Sequence, residues 1–150
     1  MTESTHQPIS SRIEVEVRYA ETDQMGVVHH AVYPIWLELA RTRLCEKTGY
    51  HYGDIEKLGY RLMVTGLTLE YRGPARYGDT VSVTCHIVRV GSRGLRFGYE
   101  VTIGEKRLAN GTTDHVWLEA QRNRPVRIPD VLAQPFRRLA AGVTDTGDTP

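Results

Sequence analysis

The sequence predicts an α+β domain, with one long central helix wrapped by a curled antiparallel sheet of about five strands. Three observations carry this. A single strongly apolar helical stretch lies near residues 31–47. Period-two segments of strand length flank it on both sides. The later segments are joined by short turns bearing glycine, which favours antiparallel neighbours. One helix and an antiparallel sheet bury each other most simply when the sheet curls around the helix.

The first strand is Ile13 to Tyr19, where apolar and polar residues alternate. A loop from Ala20 to Gly26 follows. The helix is expected over about Ala31 to Lys47, with Pro34 in its first turn and Gly49 just past its end. Tyr33, Trp36, Leu37, Ala40 and Leu44 recur on one helical face. Ile35 and Leu39 widen that stripe, so the helix is expected to be covered on several sides. Ile55 and Leu58 mark a short helical turn ended by Gly59. Four strands then follow over Leu62–Arg72, Thr80–Val90, Leu95–Ile103 and Arg107–Ala120. They read as a meander, with a bulge expected near Gly111. A short helix is expected from Pro129 to Leu139. Residues 1–11 read as a disordered lead, 12–121 as the main domain, 122–141 as a basic loop with that helix, and 142–150 as a disordered tail.

Composition excludes several classes. With 150 residues, 40% hydrophobic and 25% charged, the chain suits one globular domain. Nineteen basic against 18 acidic residues leave a net charge of +1, far from a nucleic-acid surface. No apolar run approaches the ~18 residues of a membrane span, and Met1 to Ser11 lack a signal-peptide core, so the expected location is cytoplasmic. Cys45 and Cys85 have no metal-ligand spacing and read as small buried thiols. His29 and His30 are adjacent and diverge at a helix start, unlike a chelating i, i+4 pair, so no metal is expected. There is no GxSxG elbow and no phosphate loop, and no cofactor is expected.

The residues that point to chemistry lie in Glu21-Thr22-Asp23-Gln24-Met25-Gly26-Val27-Val28-His29-His30-Ala31-Val32-Tyr33. Asp23 sits shortly before a helix N-terminus, where unpaired N–H groups and a partial positive charge are available. A carboxylate there can attack a carbonyl, or direct water at it, while amides hold the oxyanion. An Asp in that place can equally be a simple cap. His29 reads as surface or interface. Glu38 and Arg41, within one turn, read as an ion pair on the helix face, with Glu38 also able to border a pocket or interface.

This segment, Glu38-Leu39-Ala40-Arg41, and Tyr71-Arg72-Gly73-Pro74-Ala75-Arg76-Tyr77-Gly78-Asp79 together resemble the hotdog-fold acyl-CoA thioesterases of the 4-hydroxybenzoyl-CoA thioesterase type. The resemblance covers roughly Arg12 to Ala120, and departs where Val32 replaces the Asn of many relatives. It implies a hydrolase that cleaves acyl-CoA to free acid and coenzyme A. Asp23 falls on the catalytic aspartate, as general base or nucleophile. His30 is implied at the site chiefly through its main chain, with an oxyanion hole of the Val28, His29 and His30 N–H groups. Tyr33, Trp36, Leu37, Leu67 and Leu69 are expected to line an acyl pocket. Arg93, Arg96, Arg122 and Arg124, from a wider set with Arg89 and Arg127, are candidates for the coenzyme A phosphates. A homo-dimer or homo-tetramer is implied as well. Rival readings are an enzyme acting on acyl carrier protein thioesters, a dehydratase, or a non-catalytic acyl-binding protein.

Overall fold

Helix α1 spans Tyr33–Glu46 and buries the face that its apolar spacing defines, namely Tyr33, Trp36, Leu37, Ala40 and Leu44, with Arg41 and Cys45 beside them. A computed structural model describes residues 7–142 around it. In chain order the strands and helices are β1 (Ser10–Glu16), α1, α2 (Tyr52–Lys57), β2 (Tyr60–Tyr71), β3 (Thr80–Val90), β4 (Gly94–Ile103), β5 (Lys106–Glu119), a two-residue β6 (Arg124–Pro125) and α3 (Asp130–Ala141). Two 3-10 turns, Tyr19–Glu21 and His30–Val32, lie between β1 and α1. The second of them takes the place of the first helical residues expected from sequence.

All pairings are antiparallel, in the order β1-β3-β4-β5-β2, with β6 added to β5. The expected meander holds for β3, β4 and β5 alone. Strand β2 pairs with β5, not with β3, and forms an edge of the sheet. The chain after β2 must therefore cross from one edge to the far side. Residues 72–79 make that crossing, and Gly78 N–H and Asp79 C=O bond the backbone of Val17 as they arrive beside β1. A long crossing connection and a tight turn both use Gly and Pro, so the sequence does not separate them.

Other expectations shift for local reasons. Strand β1 starts at Ser10, and Ile9 N–H already donates to Leu139 O, so ordered chain begins within the supposed lead. Ser11 is buried because its hydroxyl donates to Ala40 O of α1 at 2.7 Å. The rest of the lead, residues 1–6, and the tail from 143 lie outside the described residues. No register shift occurs at Gly111; the irregularities fall at Thr65 of β2, Val88 of β3 and Leu108 of β5. Gly111 instead meets β2 closely, for a Cβ there would run into Thr68 O. Ile35 and Leu39 are about half exposed, at 54% and 49%, so α1 is covered on one side and open on the other.

The core lies between the sheet and the two longer helices. Val81, Val83, Cys85 and Ile87 of β3 and Leu95, Phe97, Tyr99 and Val101 of β4 face inward at alternate positions. Helix α3 closes the core with Leu132, Phe136 and Leu139, and Phe136 meets Trp117 edge-on at 5.5 Å. The expected C-terminal helix is thus an integral part of the domain.

Candidate active site

The loop between the 3-10 turns is a small hairpin. His29 N–H donates to Glu21 O at 2.9 Å, Thr22 pairs with Val28, and Asp23 N–H donates to Val27 O at 2.9 Å. Gly26, at φ 78°, closes its tip by donating to Asp23 O. Asp23 is therefore about two rungs, roughly 7 Å, from the His29 end of the hairpin.

The Asp23 carboxylate does part of what a cap does. Its Oδ1 accepts from Met25 N–H at 2.8 Å and from Val27 N–H at 3.4 Å. These bonds fix the side chain within its own turn, not at the helix end. Among the described residues Oδ2 has no hydrogen-bond partner. A half-buried carboxylate oxygen is thus held in place and left free.

The amides divide sharply. Val28 N–H donates to Ala75 O at 2.8 Å, and His29 N–H is taken by Glu21. Of the three expected oxyanion donors these two are already bonded to main-chain carbonyls. The hairpin's own ladder takes the His29 N–H, and the crossing connection takes that of Val28. Ala31 N–H donates to His29 Nδ1 at 3.0 Å, and Val32 N–H donates to His29 O. His29 is therefore the N-cap of the second 3-10 turn, a role the sequence did not reveal. The N–H of His30 has no partner among the described residues. The His30 imidazole is exposed and stacks on that of His29, with centroids 4.2 Å apart.

Residues from β2 and the crossing connection hold this unit. Tyr71 donates its phenol to His30 O at 2.7 Å, and its ring meets Tyr33 edge-on at 5.1 Å. Burial raises the pKa of both phenols, and for Tyr33 the neighbouring Tyr71 adds to the rise, so both stay protonated donors at neutral pH. From inside, Glu21 is buried and accepts from Trp36 Nε1 at 3.2 Å and from Arg18 N–H at 2.8 Å. Burial alone would raise the Glu21 pKa, but these bonds and the Arg18 charge outweigh it and hold it below the usual carboxylate value. Glu21 and Tyr71 are positions whose roles sequence reasoning missed. Both stand inside the quoted motifs, but their partners are 15 and 41 residues away.

The expected acyl-pocket residues split into two groups. Tyr33, Trp36 and Leu37 are buried in close packing. Leu67 and Leu69 lie on the helix-facing side of β2 together with Tyr71, and Leu67 is 47% exposed. Only the β2 residues offer open surface.

The expected phosphate-binding arginines do not gather at the hairpin. Arg96 forms a two-bond pair with Asp114 at 2.7 and 3.1 Å. With Arg89 and Arg93 it lines a cavity of about 490 Å³ at the β3–β4 turn. Arg96 alternates with the inward Leu95 and Phe97, which puts it on the outer sheet face. Its rung meets β2 at Gly66, five residues or roughly 17 Å along the strand from Tyr71. Arg122 and Arg124 are exposed beyond the end of β5, away from that cavity. The missed candidate is Arg76, exposed next to Ala75 in the crossing connection that holds Val28. Arg41 also departs from expectation. It is buried and donates to Tyr99 and Tyr52 at 3.1 and 3.4 Å, while Glu38 is exposed. Cys45 and Cys85 are buried free thiols as expected, and burial pushes the Cys45 pKa up to about 12.

Residues 17–136 match the family model described as the thioesterase-like superfamily. YneP of Bacillus subtilis (strain 168), provisionally named an acyl-CoA thioesterase, is 36% identical over 119 residues, which are 78% of this chain and 86% of that protein. A hypothetical protein from Thermus thermophilus superposes with a TM-score of 0.82 at 40% identity, covering 86% of this chain and 98% of that one. The DHNA-CoA thioesterase from Staphylococcus aureus gives a TM-score of 0.76 at 32% identity, over 79% and 80% of the two chains. With its hairpin carboxylate, its sheet order and these matches, the chain belongs to the thioesterase-like superfamily.

Proposed function

We propose that this protein hydrolyses acyl-CoA thioesters to free acid and coenzyme A. The observation that carries the reading is the presence, on one hairpin and turn, of a fixed carboxylate with one free oxygen and of an amide, both without partners among the described residues. Asp23 acts on the thioester, and His30 N–H receives the negative charge that develops on the carbonyl oxygen. Family membership and the thioesterase names of relatives support the same chemistry.

Two routes fit Asp23. As general base it takes a proton from water, whose oxygen attacks the carbonyl carbon; the C–S bond breaks and the thiolate leaves with the proton. As nucleophile its oxygen attacks directly, the C–S bond breaks as the coenzyme A thiolate leaves, and water opens the resulting mixed anhydride to free acid and regenerated Asp23. The acyl group lies against the open β2 face at Leu67 and Leu69, with Tyr33, Trp36 and Leu37 packed behind it. Arg76, exposed beside Ala75, supplies a positive charge for the phosphates.

The working form is a homo-dimer or homo-tetramer in the cytoplasm. Strand β2 leaves a 12-residue edge unpaired, and Met63, Val64 and Leu67 on it are about half exposed. No helix among the described residues is long and apolar enough to cross a membrane.

The test is turnover of acetyl-, hexanoyl-, palmitoyl- and benzoyl-CoA by the whole chain, with light scattering on the same sample. Thiol release from at least one thioester is expected, from a particle larger than 17 kDa. Binding without release across all four would make it an acyl-binding protein instead.

A further inference from the structure

The His29–His30 peptide presents the free N–H, and the peptide that follows it is gripped from both ends. Its carbonyl, His30 O, accepts from the Tyr71 phenol at 2.7 Å. Its N–H, that of Ala31, donates to His29 Nδ1 at 3.0 Å. The carbonyl of the His29–His30 peptide is itself tied to Val32 N–H. With these neighbours fixed, the His30 N–H has little freedom to swing away from its direction. Tyr71 is the only one of the three contacts supplied from outside the segment. It comes from the edge strand β2, 41 residues later, and stands at the end of the Leu67–Leu69–Tyr71 face. Its ring is set in turn by the edge-on contact with buried Tyr33.

We propose that Tyr71 is a positioning residue for thioester hydrolysis, its phenol holding the His30 segment so that the His30 amide points at the developing oxyanion. This rests on the reading of Asp23 and His30 as the hydrolytic site. An oxyanion donor matters only where charge grows, so its misplacement slows turnover more than it weakens substrate binding. Loss of one such donor typically lowers kcat by about 10²–10³, and its loosening by less.

The experiment compares Tyr71→Phe, Tyr77→Phe and Asp23→Asn in the full chain, on whichever of the four acyl-CoA thioesters the parent turns over fastest. Tyr71→Phe keeps the ring against Tyr33 and removes only the donor. Its kcat is expected to fall about tenfold or more, with KM within threefold and the melting temperature within about 4 °C of the parent. Tyr77 is 65% exposed with its ring against Tyr19, and Tyr77→Phe keeps the parental kcat. A Tyr71→Phe kcat within twofold of the parent, while Asp23→Asn is inactive, overturns the positioning role and leaves the site standing. So does a pure rise in KM. Parental turnover in Asp23→Asn overturns the underlying site, and the proposal with it.

Discussion

The buried Glu21 carboxylate accepts a hydrogen bond from the Trp36 indole at 3.2 Å, joining the start of the hairpin to the first turn of α1. Its other oxygen holds Arg18 N–H. The hairpin that carries Asp23 is therefore anchored to the helix from within, and to Ala75 and Tyr71 from without. Trp36→Phe removes the inner anchor and leaves a buried carboxylate oxygen without its donor. We expect a loss of about 1–3 kcal/mol in unfolding free energy, read by urea denaturation. An unchanged midpoint would show that the hairpin does not depend on this bond.

Asp23→Asn preserves volume and can still accept from Met25 N–H, so the turn and the oligomer should survive. It can neither take a proton from water nor attack a carbonyl. Turnover should fall by about 10²–10⁴ with KM little changed. Single turnover in ¹⁸O-water separates the two routes, because only the nucleophilic one can leave label in Asp23.

The arginines give a contrast. Arg76→Ala should raise KM for acyl-CoA severalfold and leave melting unchanged, because its side chain is exposed. Arg96→Ala should leave KM unchanged, since Arg96 is on the outer face and paired with Asp114. Steady-state kinetics on both variants checks the assignment. A rise in KM for Arg96→Ala with none for Arg76→Ala would return the phosphate site to the β3–β4 turn.

His115 sets an acid limit. It is buried, with Nε2 against Thr113 at 2.8 Å, and burial, aided by the Arg41 charge, pushes its pKa down to about 4 from 6.5. The unfolded chain therefore binds a proton that the folded one refuses. The contribution is fully present above about pH 6.5 and is lost as pH falls toward 4. Its full size is on the order of 3 kcal/mol. His115→Gln should flatten the stability profile between these limits, measured by denaturation at successive pH values. An unchanged slope would place the acid sensitivity elsewhere.

Gly111→Ala should destabilise the β2–β5 pair, because the new methyl meets the Thr68 carbonyl in the facing strand. Overpacking against main chain costs about 1–3 kcal/mol and cannot be relieved by a rotamer change. A melting temperature equal to the parent's would show that β2 can move aside.

The sequence by itself determined the elements and singled out the candidate carboxylate. The Tyr33, Trp36, Leu37, Ala40 and Leu44 spacing has one physical solution, a helix with that face buried, and the alternation in β3, β4 and β5 gives strands whose inward residues are the core. The motif around Asp23 located the carboxylate, because loop chemistry is written in contiguous residues. Tertiary structure decided what each amide and cation does. Val28 loses its N–H group to the carbonyl of Ala75, and Arg41 goes inside to Tyr99 and Tyr52. It also decided that β2 lies beside β5, which brings Tyr71 to His30 and carries Ala75 past the hairpin. These outcomes depend on which distant strand arrives next to the loop. No local pattern of hydrophobicity or charge encodes that, because it is fixed only when the whole sheet closes its core.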